Sequence, residues 1–237
     1  MLTVISVWRD EELLAPFFLS HYSFVNRIII LLDTATTDQT RNVLESDKKV
    51  EIRDIAFPNK FDDCIKINAI NSCYREISEG WVLVADADEF LLEQEFDPQF
   101  DVYFSEFAEV YRHEADLDLD PLMPAVLQRV HGIWQKDNNP HGFQTGKPNI
   151  AKAGLDVGWG VGHHSIGGEF SPVCGEARVL HWQMADPIIM VARHLNRHNL
   201  LSPENIQRGH GVHWAYFQQP GYINRIFEAH KNDPKCI

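Results

Sequence analysis

Two short segments, Ile28-Ile29-Ile30-Leu31-Leu32 and Trp81-Val82-Leu83-Val84-Ala85, are apolar at every position, and each runs directly into an aspartate, Asp33 and Asp86. A strand apolar on both alternating faces is expected where helices cover the sheet on either side. The surrounding chain keeps that rhythm. Apolar runs alternate with amphipathic stretches, from Leu2 to Val7, Glu11 to Phe24 and Arg27 to Leu32, as in successive βαβ units. Val50 to Ile55 alternates like a strand nearer an edge, and Asp62 to Ser78 sets Ile65, Ala69, Ile70, Cys73 and Ile77 on one helical stripe. The prediction is an α/β fold whose first ninety-odd residues hold four strands and three intervening helices, the sheet mostly parallel.

The second half is built differently. His21 aside, every histidine lies beyond residue 112, and Gly80 aside, every glycine lies beyond residue 131. Residues 137–175 are rich in Gly, Pro and Asn and predict short strands, hairpins and loops, whereas Asp186 to Leu201 and Gly221 to Lys231 read as helices. With 237 residues, 44% hydrophobic, the chain suffices for one sizeable core, so a single domain is expected, divided near residue 93.

A net charge of −13, from 34 acidic and 21 basic residues, offers no overall field for nucleic acid or an anionic membrane. Cys64, Cys73, Cys174 and Cys236 show neither zinc nor disulfide-scaffold spacing, so a reducing, cytoplasmic setting is the expectation. The opening Met1 to Trp8 lacks a basic flank, and charges from Arg9 to Glu12 end its apolar run too early for a signal peptide or membrane span.

Asp86-Ala87-Asp88-Glu89-Phe90 follows the second apolar run directly, so its carboxylates emerge at the carboxyl edge of a parallel sheet, where open α/β folds bind ligands. Magnesium and manganese are hard cations that use one or two carboxylates together with phosphate oxygens, and Asp86 and Asp88 suit that role. The competing reading is a solvated acidic turn. Asp33 begins D-x-x-T-x-D-x-T, in which Asp38 caps a helix while Asp33 faces the cleft. Lys66 either serves the same sheet edge or forms a solvated i,i+4 pair with Asp62. Gly142 to Pro148 lacks the spacing of a phosphate-binding loop, Asp116, Asp118 and Asp120 lack the Gly and Glu of a calcium loop, and His194 with His198 lacks the Glu of a zinc-protease helix.

Through Arg9-Asp10-Glu11-Glu12, His21, the stretch from Asp33 to Thr40, the K-x-x-A-x-N stretch from Lys66 to Asn71, and D-x-D-E-F at Asp86 to Phe90, the chain resembles family 2-like glycosyltransferases of the GT-A fold. The resemblance covers about the first 93 residues. It implies a UDP- or GDP-type sugar donor held by residues 1–93, a Mn²⁺ or Mg²⁺ ion at Asp86 and Asp88, Asp33 near the nucleoside, Lys66 near base or phosphate, and a carbohydrate or lipid-linked glycan acceptor. Beyond residue 93, Gly162-His163-His164 and Val179-Leu180-His181-Trp182 are similar to histidine-containing stretches of that branch. The resemblance carries a metal-ligand role onto His181, with His164 as the second candidate, so that residues 94–237 would complete the metal shell and contact the acceptor. Arg9 and Arg193 fall where basic residues serve the donor. The Glu-Asp pair that supplies the base in relatives is missing; among Asp156, Glu169, Glu176 and Asp186, Glu169 in its Gly-Gly-Glu turn is the preferred catalytic base. The rivals are a nucleotidyltransferase of similar architecture, whose Gly-rich basic N-terminal loop has no counterpart at Trp8 to Glu11, and a non-catalytic, metal-dependent carbohydrate-binding protein.

Overall fold

In the computed structural model, which describes residues 1–58, 60–92, 94–134, 146–210, 215–216 and 219–236, the first half alternates strand and helix as predicted. The order is β1 (Leu2–Trp8), α1 (Ala15–His21), β2 (Arg27–Asp33), α2 (Thr40–Glu45), β3 (Val50–Ile55), α3 (Asp63–Arg75) and β4 (Trp81–Val84). The second half supplies β5 (Glu89–Leu91), β6 (Val102–Tyr111), β7 (Gly132–Trp134), β8 (Lys147–Lys152), β9 (Val157–Trp159), β10 (Ile166–Gly168), β11 (Gly175–Met184), α4 (Pro187–Leu200), α5 (Pro203–Arg208) and α6 (Tyr222–His230). The His198 side chain and most of Gly142 to Pro148 lie outside the described residues.

Among the described residues one nine-stranded sheet runs through both halves in the order β3-β2-β1-β4-β8-β6-β11-β5, with β7 paired to β6 beyond the stretch taken by β8. β1 to β4, β6 and β11 run one way; β5, β7 and β8 run against them. The sheet is therefore mostly parallel, flanked by helices, with β3 at its edge as its alternating pattern predicts.

Alternate residues of the apolar strands serve two separate cores, which explains why every position is apolar. Ile28, Ile30, Leu32 and Leu83 pack with Phe17 and Phe18 of α1 and Leu44 of α2. Ile29, Leu31, Val82 and Val84 pack on the other face with Ile67, Ile70 and Tyr74 of α3 and Trp159 of β9. Each buried aliphatic side chain contributes roughly 1.5–3 kcal/mol of transfer free energy, so one polar substitution in these runs would expose a helix-facing defect.

α3 differs in phase from the prediction. Its buried side carries Lys66, Ile67, Ile70, Cys73 and Tyr74, while Ile65 and Ala69 are half-buried. A lysine on the buried side is the reason the apolar stripe looked rotated. Asp62 starts the helix as its cap, its carboxylate accepting from the backbone N–H groups of Cys64 and Ile65, and Lys66 turns elsewhere.

Candidate functional site

Five residues after the start of β4 the chain leaves the sheet, turns through Asp86 to Asp88 and re-enters it as β5, a short strand that the sequence reading absorbed into the motif. The end of α1 pins that strand. Tyr22 Oη donates to the Glu89 carbonyl (2.8 Å) and accepts from Leu91 N–H (3.0 Å), while His21 Nε2 donates to the Leu91 carbonyl (2.8 Å). His21 is packed edge-on to Tyr22 and Phe90, and burial lowers its pKa to about 4, so its part is to hold the neutral ring's hydrogen bond in place. On the far side, β11 sets His181 opposite Glu89 of β5 and Glu109 of β6. The motif turn thus joins the two halves of the sheet.

Asp86 sits among lysines. Lys66 Nζ donates to Asp86 Oδ1 at 2.5 Å, and Lys147, at the start of β8, donates to Glu89 Oε1 at 2.5 Å. Glu89 Oε2 accepts the Asp86 backbone N–H (3.0 Å), bending the turn back on itself. Burial alone would raise the Asp86 pKa, but Lys66 and further positive charge around it hold the carboxyl well below its usual range. Beside this group lies His163, whose ring is buried with neither nitrogen hydrogen-bonded among the described residues, and burial holds its pKa well below the ordinary value.

Asp88 is in a different setting. It is 1% exposed and Arg193 Nη1 donates to its Oδ2. Arg193 also meets Glu11, with Nη2 donating to Oε1 at 2.9 Å and Nε lying 2.7 Å from Oε2, and Arg197 Nη2 adds a 3.3 Å bond to Glu11. His181 stands between two acids: its Nδ1 lies 2.5 Å from Glu109 Oε1 and its Nε2 3.6 Å from Asp88 Oδ2. Burial would lower the His181 pKa, yet Glu109 and Asp88 outweigh it and raise it to about 10. The imidazole is therefore held as a cation.

Between these groups, Leu200 at the end of α4, and Gly209 and His210 just after α5 opens a cavity of about 420 Å³, in the usual range for small-molecule sites. Arg9, Lys66, Asp86, Asp88, His164 and His181 all contribute to its wall. Asp33 and Arg193 do not. Asp33 is 1% exposed and accepts from Arg9 Nη1 (3.2 Å) and Ala35 N–H (2.9 Å), so it positions Arg9. Arg193 lies behind the wall, tying α4 to the motif and to Glu11. Glu169 is exposed beyond the end of β10 and lies off the cavity wall.

The metal that the resemblance implies is not well matched by Asp88 and His181 as they stand. Asp88 Oδ1 has no hydrogen-bond partner among the described residues, but the guanidinium groups of Arg193 and Arg197 already stand against that carboxylate. Asp86, Glu89 and His163, by contrast, bring ligand atoms within 4.8 Å of one another.

Sequence reasoning missed His163, Glu89, Lys147, Glu11, Glu109 and Arg197. His163 and Glu89 lay inside stretches already singled out, where the neighbouring His164 and Asp88 drew the assignment. Glu11 and Arg193 bond across 182 residues, a separation that no local pattern reveals.

No protein-family model and no curated protein matches the chain. Among solved structures it is similar to residues 1–349 of S. aureus TarS in complex with UDP, at 12% identity and a TM-score of 0.44 over 96% of this chain and 72% of that one. Against a longer S. aureus TarS chain the identity is 11% and the TM-score 0.41, with 95% of this chain covering 43% of that one, so the chain spans less than half of its length. The nucleoside-diphosphate-sugar pyrophosphorylase from Vibrio cholerae RC9 is similar at 11% identity and a TM-score of 0.36, over 65% of this chain and 74% of that one.

Proposed function

We propose that the protein is a glycosyltransferase of GT-A-like build that takes a sugar from a UDP- or GDP-type donor and passes it to a hydroxyl of a carbohydrate or lipid-linked glycan. One observation carries the reading: Lys66 and Asp86, from two separate motifs, meet at 2.5 Å on the wall of a cavity beside the carboxyl end of β4. Ligands of open α/β sheets bind at that edge, and a lysine there is a point charge for a phosphate oxygen. Arg9 and Arg197 add cationic groups to the same wall. Anion recognition in a chain of net charge −13 needs such local concentration of positive charge.

Direct displacement at the sugar's anomeric carbon needs a carboxylate to take the acceptor proton. Asp63 is better placed for this than Glu169. It lines the cavity, burial raises its pKa, and its Oδ2 accepts from Asn205 Nδ2 at 3.0 Å. Among the described residues no lysine or arginine pairs with it within 4.0 Å, whereas Glu11, Asp86 and Asp88 are each tied to one. A partly desolvated carboxylate is the stronger base, and at Asp63 burial outweighs the opposing charges of Lys66 and His210.

Thermal-shift measurements with UDP, GDP, their sugars, nucleoside triphosphates and free sugars, each with EDTA and with Mn²⁺, test the reading. Nucleoside diphosphates and their sugars should raise Tm, with stabilisation of about 2.7 kcal/mol at a ligand concentration one hundred times Kd. A response confined to triphosphates would favour nucleotidyl transfer; a response confined to free sugars would leave a binding protein. In this reading any membrane contact is peripheral; among the described residues no helix is long and apolar enough to cross a membrane.

A further inference from the structure

We propose that Asn205 of α5 is a positioning residue for the transfer, holding Asp63 as the base that takes the acceptor's proton; the inference rests on the base assignment made above. Glu11, Asp63, Asp86 and Asp88 all line the cavity. Arg193 holds Glu11 and Asp88, and Lys66 holds Asp86. Asp63 is held by an amide. Asn205 Nδ2 donates to Asp63 Oδ2 at 3.0 Å and to the Phe61 carbonyl at 3.3 Å, while Asn205 Oδ1 accepts the Asp63 backbone N–H at 3.1 Å. Bonds to a backbone N–H and a backbone carbonyl settle which end of the amide is nitrogen, so the Asp63 carboxylate faces a donor.

The choice of partner matters for a base. A carboxylate that accepts from an ammonium or guanidinium is oriented and made a weaker base together, whereas a neutral N–H orients it with a smaller effect on basicity. In the step itself the acceptor oxygen bonds to the anomeric carbon and the bond from that carbon to the phosphate oxygen breaks. Its electrons leave with the nucleoside diphosphate, and the acceptor proton passes to Asp63. The charges that act on Asp63 are Asp62 and Lys66 from α3, Asp86 from the motif turn, and His210 just after α5, whose Nδ1 stands 4.0 Å from Asp63 Oδ2. Lys66 directs its ammonium to Asp86, and burial outweighs these charges and raises the Asp63 pKa.

Asn205 is fully buried and lies off the cavity wall, so it acts only through Asp63. The chain fastens it on both sides. Its N–H donates to Ser202 Oγ at 3.0 Å, and that hydroxyl donates to Asp62 Oδ2 at 3.4 Å. Phe61 N–H donates to the Leu200 carbonyl (2.9 Å) and Ser202 N–H to the Phe61 carbonyl (3.0 Å), which docks the start of α5 on the start of α3. Beyond the helix, Gly209 takes φ of 76°, and the N–H groups of Gly209 and His210 return to the carbonyls of Ile206 and Asn205. The amide is therefore set by rigid backbone, as the tolerance of a proton transfer requires.

The test reads nucleoside diphosphate release from UDP-glucose, UDP-N-acetylglucosamine and GDP-mannose with methyl glycosides as acceptors, beside calorimetric binding of UDP and GDP. Asn205→Ala should lower kcat about tenfold or more while diphosphate affinity changes less than about twofold, because Asp63 is then free to turn. Asn205→Asp is nearly isosteric and sets a second carboxylate against Asp63. Like charges favour the protonated form, so the acid limb of its kcat profile should move up by about one pH unit or more. Wild-type kcat in Asn205→Ala, a matching fall in diphosphate affinity, or an unmoved acid limb in Asn205→Asp would each overturn the proposal. Should Asn205→Ala fail to fold, the acid limb of Asn205→Asp decides. Wild-type turnover in Asp63→Asn overturns the base assignment and the proposal together, whereas lost turnover there with an unmoved limb in Asn205→Asp overturns the proposal alone. Wild type that binds neither diphosphate and releases none overturns the donor reading, and the role of Asn205 with it.

Discussion

Asp86 and Asp88 are two residues apart, yet they belong to unlike electrostatic regions. Asp86 is part-exposed and meets a lysine that also faces the cavity; Asp88, although it reaches the cavity wall, is 1% exposed and meets an arginine that lies behind the wall and also grips Glu11. The histidines differ in the same sense, with His163 kept neutral by burial and His181 kept charged by Glu109 and Asp88 against the effect of burial. Lysine is a single flexible point charge and guanidinium a planar fork that makes several fixed bonds. One region is therefore suited to exchanging partners with a ligand and the other to locking α4, β11 and the β1–α1 connection together. A two-carboxylate motif divides its labour, with one carboxylate committed to the fold.

The largest effect should come from breaking the lock. Arg193→Met leaves the buried carboxylates of Glu11 and Asp88 with only the longer contacts to Arg197 and His181, and removing one partner of a buried pair costs about 3–5 kcal/mol. Lys66→Met should cost about 1 kcal/mol or less, because Asp86 can be hydrated from the cavity, while donor affinity falls. Urea unfolding of both variants checks this. Equal losses would break the comparison.

A second test uses pH. The folded-state pKa of His181 is about 10 against 6.5 when unperturbed. A raised pKa means the folded state keeps a proton that the unfolded chain releases, so this contribution is complete below about pH 6.5 and is lost as pH rises towards 10. Wild type should lose on the order of a few kcal/mol across that window relative to His181→Gln. Parallel pH profiles for the two proteins would show that His181 is neutral when folded, and the charged lock would have to be abandoned.

Much of this was readable beforehand, and the limits have physical causes. The strands β2 and β4 were legible because burial on both faces leaves no room for polar residues, and the helices α4 and α6 because periodicity is local, α4 having the Asp186 cap besides. The phase of α3 was misread because Lys66 is buried for charge, which hydrophobic periodicity cannot register. β5 was hidden inside a motif, and three residues are too few to show alternation. Glu169 was favoured for its turn composition, but whether a turn faces a cavity depends on how β9 and β10 pack on α3, a tertiary fact. His163 rather than His164 is turned inward by two left-handed residues, and backbone handedness at a non-glycine position leaves no mark in the sequence.

The smallest effect concerns how the Asp86 region is kept in order without an arginine lock. Asn71 contributes two hydrogen bonds to Trp159, which link α3 to the hairpin carrying His163. Asn71→Ala removes both, and at roughly 0.5–1.5 kcal/mol per bond the global loss should be about 1–2 kcal/mol, since the Trp159 ring stays packed on Tyr74. The local consequence should be larger than the global one. Amide exchange should quicken in residues 157–168 while β1, β2 and β4 keep their protection, because local opening of a lightly held hairpin requires no unfolding of the sheet. Uniform loss of protection across both regions would mean that the hairpin and the sheet open as one unit, and that the region around Asp86 is as firmly locked as the region around Asp88.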